Sequence, residues 1–227
     1  MKKISGIRLY LTLALTGMNS AALANLVSNP SFETFSGALG PDGGSQLVTG
    51  VATLTNWNVV GGESAILKNP NIYQLTPSDG NNFLDLAGYS NTGFPKGISQ
   101  TLTGLIEGQA YSFSMDLGIR NGPCVGSGNN CNGPVQVTAQ IGSDSQTFTH
   151  NSAEAGNIWG TYGFTFTADS QSTTLSILGN SLPAGRQYIG LDNVNVSPVP
   201  MPAAVWLFGS GFLAMLGMSK VRRGFFD

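Results

Sequence analysis

The chain has 227 residues, of which only 10% are charged: ten Lys and Arg stand against twelve Asp and Glu, for a formal net charge of −2. So few cations exclude a nucleic-acid binder, because gripping phosphates needs clustered Lys and Arg. Thirty-one glycines and eleven prolines argue against an all-helical domain, since both residues weaken helix interiors.

In chain order, the N-terminus places Lys2, Lys3 and Arg8 ahead of the apolar run Leu9-Tyr-Leu-Thr-Leu-Ala-Leu, which is followed by Ala22-Leu23-Ala24. Charged, apolar and small residues in that order read as a secretory signal peptide over residues 1–24, with cutting expected after Ala24. Residues 25–200 then suit one domain with a sizeable core. Six of the ten basic residues lie in the two terminal segments, leaving Lys68, Lys96, Arg120 and Arg186 against eleven acids, a domain charge of −7. A neutral polysaccharide or a cation fits such a surface better than a polyanion.

Short alternating runs predict strands. Tyr111, Phe113, Met115 and Leu117 share one face, and Val135 to Ile141 repeats the pattern, as do Phe164 with Phe166 and Leu175 with Ile177. Further strands are expected at Trp57–Val60, Ser64–Leu67, Asn82–Leu86, Gly97–Leu102, Ser145–Thr149 and Tyr188–Val196. About ten short strands separated by Gly, Asn, Asp and Pro turns predict an all-β, antiparallel sandwich or jelly roll. Asp85 alternates away from its apolar neighbours and is expected to face solvent or a turn. Trp57, Trp159, Tyr111 and Phe113 are expected in the core.

Cys124 and Cys131 are the only cysteines, separated by six residues in a Gly- and Pro-rich loop. In an exported chain they predict a disulfide. It would hold a hairpin tip between the strand ending near Leu117 and the one starting near Val135. Two thiolates without a nearby histidine are too few for zinc. His150 is the sole histidine, and Gly-x-Ser-x-Gly, HExxH and phosphate-cradling loops do not occur. The chain therefore reads as a non-enzyme.

Sugar recognition uses aromatic rings that stack on C–H patches, with polar side chains bonding the hydroxyls. The loop Ala87 to Lys96 carries Tyr89, Asn91 and Phe94, while Arg186 and Tyr188 precede the last strand. Together with the Asn-rich loop at Asn121–Asn132, these could form one carbohydrate-binding rim.

Six pieces in register carry a resemblance: Asn25-Leu-Val-Ser-Asn-Pro-Ser-Phe-Glu33, Trp57-Asn-Val-Val-Gly-Gly62, Asn82-Phe-Leu-Asp-Leu-Ala-Gly88, Gly97-Ile-Ser-Gln-Thr-Leu102, Gly108-Gln-Ala-Tyr-Ser-Phe113 and Leu191-Asp-Asn-Val-Asn-Val196. Their order is similar to the galactose-binding-like jelly roll of bacterial choice-of-anchor surface proteins, related in fold to carbohydrate-binding modules and plant cell-wall proteins. The resemblance spans residues 25–197 as the domain. It implies a structural calcium ion between a Glu just after the first strand and an Asp in the last, here Glu33 and Asp192. The alternative is that both carboxylates cap loops.

The tail, residues 198–227, holds Pro200-Met201-Pro202, an uncharged run over 203–219, and the cations Lys220, Arg222 and Arg223. Apolar length and flanking charge predict one transmembrane helix with its basic end cytoplasmic. The segment resembles a PEP-CTERM sorting signal with Met201 where that motif has Glu, which implies processing by an exosortase in the inner membrane of a Gram-negative bacterium. The whole reads as an exported protein, anchored in transit and then sorted to the cell surface or extracellular matrix, whose domain binds carbohydrate. A structural matrix protein or adhesin without a defined ligand is the alternative, and a glycan hydrolase the third reading.

Overall fold

The computed structural model describes residues 24–50, 54–90, 92–123, 131–181 and 188–200. Among the described residues, eleven strands form two antiparallel sheets packed face to face. They are β1 (Gly44–Val48), β2 (Asn58–Val60), β3 (Glu63–Lys68), β4 (Asn82–Asp85), β5 (Lys96–Thr103), β6 (Ala110–Asn121), β7 (Val135–Ile141), β8 (Asp144–His150), β9 (Gly156–Thr167), β10 (Ser172–Ser181) and β11 (Gly190–Pro198). The six-stranded sheet runs β1-β3-β4-β11-β6-β9 and the five-stranded sheet β2-β5-β10-β7-β8. From β4 onward the chain crosses between the sheets at every step except the β7–β8 hairpin, the crossing pattern of a jelly roll.

Alternation decides which face is buried. In β7 the burial pattern puts Val135, Val137, Ala139 and Ile141 inward and Gln136, Thr138 and Gln140 outward. Phe113, Met115 and Leu117 of β6 meet Ile98, Leu102, Leu175 and Ile177 of the opposite sheet in one continuous core. Burying each such side chain contributes about 1.5–3 kcal/mol. The β6–β9 pair is reinforced by cross-strand rings: Tyr111 stacks on Phe166 at 5.6 Å, and Phe113 meets Phe164 at a tilt, 5.2 Å between centres. Trp57, Tyr111 and Phe113 are core residues as expected, whereas Trp159 packs on the outer side of the six-stranded sheet.

Two expectations are corrected. The opening segment Asn25–Glu33 is not a strand; it lies along β11 through Leu26 N to Val196 O and Val194 N to Pro30 O. The segment between β6 and β7 is not a hairpin tip, because β6 pairs with β9 and β11 while β7 belongs to the other sheet, so the connection bridges the sandwich. Of the two settings expected for Asp85, solvent or a turn, the structure shows the turn: it is 5% exposed, and its Oδ1 accepts the amides of Ala87 at 2.8 Å and Ile189 at 2.9 Å, which holds the turn after β4 against the start of β11. The expected signal peptide (1–23 of it) and the tail from Met201 onward lie outside the described residues. Among the described residues, no helix is long and apolar enough to cross a membrane.

Candidate functional site

The outer face of the six-stranded sheet is covered by the long connection between β3 and β4. Leu75 and Tyr73 from that connection close over Leu67, Phe83, Tyr188 and Trp159 to make a second, smaller core. An irregular segment laid over a sheet must satisfy its own amides, and here carboxylates do so. Glu33 Oε1 accepts the amides of Asn81 at 2.7 Å and Asn82 at 2.9 Å. Asp192 Oδ2 accepts those of Ser78 at 2.8 Å and Asp79 at 2.9 Å, while its Oδ1 accepts Asn193 N at 2.8 Å. Asp116 takes the Thr161 hydroxyl at 2.6 Å and sits 2.9 Å from Ser78 Oγ.

The two residues expected to hold calcium thus grip one turn from two sides. On each, one carboxylate oxygen (Glu33 Oε1, Asp192 Oδ2) is faced by two N–H donors, which present positive hydrogens where a cation would have to sit, and this favours the alternative that both carboxylates cap loops. Among the described residues, no group of three or more His, Cys, Asp or Glu is arranged to hold a metal. Addition of EGTA is expected to leave the thermal unfolding midpoint of the full chain unchanged. A fall that calcium reverses would show that the ion has a place these side chains do not reveal.

At the β1 edge of the same outer face sits a patch of exposed rings and side chains. Tyr89 is 39% exposed, and its hydroxyl donates to Asp42 Oδ2 at 2.6 Å. Ile72, 44% exposed, is fixed to the same residue through its amide to Asp42 O at 3.0 Å. Tyr73 is half-buried beside it and meets Tyr188 edge-on at 6.2 Å. Gly44 permits this arrangement, because a Cβ there would strike the Tyr89 hydroxyl and, at 2.7 Å, Leu67 Cδ2. Burial first, then the Asp42 carboxylate, pushes both phenols above their ordinary range. They remain O–H groups at any physiological pH. The patch therefore presents a fixed aromatic face, an aliphatic side chain and a carboxylate on one ridge, the combination that stacks on a pyranose ring and accepts its hydroxyls.

The other expected sugar contacts are placed differently. Tyr188 is 3% exposed and belongs to the smaller core, so its ring supports Tyr73 from beneath. Phe94 is half-buried against the main core, and the Lys96 ammonium lies 5.3 Å from its ring centre. Lys96 itself is 1% exposed and pairs with Glu63 Oε1 at 3.1 Å, with Ser90 Oγ at 3.0 Å. Glu63 also accepts the Ser90 amide at 2.6 Å and the Gln46 amide group. Burial works against its ionisation, but these donors outweigh it and hold the carboxyl at about 2. Asn91, Arg186 and Cys124 lie outside the described residues. Cys131 is buried and disulfide-bonded. His150 is 3% exposed at the end of β8, with Nδ1 2.9 Å from Tyr162 Oη and Nε2 3.2 Å from Ile158 O. Pro200, the first residue of the expected sorting motif, is exposed at the end of the described chain.

Fold and surface together define an all-β sandwich that carries a shallow aromatic ridge. A family model described as "Protein of unknown function (DUF642)" matches residues 25–195, and the chain belongs to that family. Halomucin of Haloquadratum walsbyi is 29% identical over 186 residues, which are 81% of this chain and 2% of Halomucin, so the chain spans a very small part of that relative. Among solved structures, a cyclase from Fischerella sp. TAU is 20% identical with a TM-score of 0.49, covering 78% of this chain and 97% of its own. The CBM22-1 xylan-binding domain of Paenibacillus barcinonensis Xyn10C is 16% identical with a TM-score of 0.42, covering 81% of this chain and 100% of its own.

Proposed function

We propose that this is an exported surface or extracellular-matrix protein whose galactose-binding-like jelly roll binds neutral carbohydrate through the Tyr89 ridge. The observation that carries the reading is the exposed Tyr89 ring, held at its hydroxyl by Asp42 and flanked by Ile72. A ring held in place at the surface loses little freedom when it stacks, and that lowers the cost of binding. Export is supported by the N-terminal charge and hydropathy pattern and by the disulfide at Cys131, a bond that persists in oxidising compartments. The uncharged run over 203–219 with Lys220, Arg222 and Arg223 behind it supports anchoring, and the PEP-CTERM-like Pro200-Met201-Pro202 supports exosortase sorting. Mass analysis of the mature C-terminus in a host with an exosortase tests the sorting half; an end intact at Asp227 would count against it.

Binding is tested by affinity electrophoresis of the full chain through gels containing soluble xylan or hydroxyethyl cellulose. Tyr89→Ala is expected to weaken retardation about tenfold, the equivalent of about 1.4 kcal/mol, with the unfolding midpoint little changed. Tyr89→Phe keeps the ring and loses the Asp42 bond, so it should fall between the two. Retardation that is identical in Tyr89→Ala and the natural protein would remove the ridge from the site.

A further inference from the structure

Among the described residues, the outer face of the five-stranded sheet presents hydroxyl and amide groups between the strand ends. Outward positions alternate with buried ones along β5, β7 and β10, and neither these nor Ser145, Thr147 and Thr149 of β8 are Asp, Glu, Lys or Arg; the exposed Asp144 at the start of β8 lies opposite inward Ile141, at the edge of the face. The strand register aligns these groups. Asn58 lies opposite Ser99, Ser99 opposite Ser176, Ser176 opposite Gln140, and Gln140 opposite Ser145, one polar row across all five strands. Four gaps between strands, each about 4.8 Å, make the row roughly 19 Å long. Beside it, Thr101 faces Thr174, and Thr138 faces Thr147 with their hydroxyls 2.7 Å apart. Half-buried Leu178 sits between Thr138 and Gly97, which adds an apolar spot where no glycine side chain stands.

The row does not stop at the sheet edge. Beyond β2 it opens into a groove whose floor is Leu54 and Trp57 and whose rim is Thr55, Asn58 and Thr101. Asn56, at the groove, has a φ of 65°, and its carbonyl is fixed by Gln100 Nε2 at 2.8 Å.

We propose that this face and groove form a second binding surface for a neutral polysaccharide chain laid across the strands. The chemistry selects that occupant. A nucleic acid or anionic glycan would find no cation on the described face, and a protein partner would find little apolar surface there beyond Leu178 to bury. A polyol chain both donates and accepts along its length, which matches Ser, Thr, Asn and Gln groups that can do either. The inference rests on the carbohydrate reading above but uses the sheet opposite to the one that bears Tyr89. Two surfaces on opposite sides of a sandwich would let one molecule bridge two polymer chains.

The test compares the natural full chain, Tyr89→Ala, and the exposed double variant Gln140→Ala with Ser145→Ala, all checked for fold by circular dichroism. Each is run through gels containing hydroxyethyl cellulose or soluble xylan, with dextran sulfate as the charged control. The expected result is a three- to tenfold loss of retardation in the double variant, a separate loss in Tyr89→Ala, and no retardation by dextran sulfate. Normal retardation of the double variant with loss in Tyr89→Ala would overturn the second surface and leave the ridge standing. Loss in the double variant alone would keep the second surface and remove the ridge. A natural chain retarded by neither neutral polymer, or retarded by dextran sulfate, would overturn the proposal.

Discussion

Replacing Glu63 by alanine is expected to lower the stability of the full chain by about 3–5 kcal/mol, because it leaves the Lys96 ammonium buried without its paired carboxylate. Lys96 is 1% exposed and Glu63 8%, and the pair joins the start of β5 in one sheet to the start of β3 in the other. After the substitution the ammonium keeps the Ser90 hydroxyl, the face of Phe94 and a longer-range attraction to Asp85. The reverse substitution, Lys96→Met, fills similar volume and leaves Glu63 with the Ser90 amide and Gln46 as donors. Its cost should be clearly smaller. Urea unfolding followed by tryptophan fluorescence measures both. Equal losses in the two variants, or a loss under about 1 kcal/mol for Glu63→Ala, would show that the pair is hydrated and acts as a surface ion pair.

The asymmetry between those two residues could not be read from the chain, because partners 33 positions apart on different sheets leave no local pattern. What local pattern does reach is the strand set. All the predicted strands are present, since a buried inner face imposes alternation on strands such as β7 and β10, while β3 and β4, covered on both faces, stand out as short continuous buried runs. The missed strand is β1, Gly44–Val48, whose only inward apolar residue is Leu47; an edge strand with a single buried contact carries too short a period to detect. The hairpin expected across Cys131 failed for a related reason. Alternation reveals which face of β6 and β7 is buried but not which sheet each joins, and a jelly roll sends such neighbours to opposite layers.

The site was legible only in part. Tyr89 was visible as an aromatic in a polar loop, and it is indeed exposed. Tyr73 and Asp42 were not, because nothing local links Asn71-Ile72-Tyr73 to β1; their proximity comes from the β3–β4 connection folding back over the sheet. Glu33 and Asp192 were singled out as a pair by resemblance, and they do act on one turn. Their donors are amides, and that chemistry depends on backbone direction, which residue types do not encode.

The same buried carboxylates make stability depend on pH in a direction opposite to that of most acids. Burial, first among the causes, pushes Asp85 and Asp192 up from 3.8 to about 7, against the amide bonds that favour ionisation. Between about pH 4 and 7 the folded chain therefore holds protons that the unfolded chain has released. Their stabilisation is complete below about pH 4 and is lost as the pH rises toward 7, with a slope of at most about 1.4 kcal/mol per pH unit for each group. Glu63 runs the other way: lowered from 4.5 to about 2, it contributes above pH 4.5 and loses that contribution as the pH falls toward 2. The unfolding free energy should peak near pH 4–5 and decline toward pH 7.5. Asp85→Asn keeps an oxygen for the amides of Ala87 and Ile189 but cannot titrate. Its curve should be flatter from pH 4 to 7 and should meet or exceed the natural protein at pH 8. Urea titrations at half-unit pH steps decide the matter, and a natural protein whose stability climbs steadily from pH 4 to 7.5 would mean that both aspartates stay ionised in the folded state.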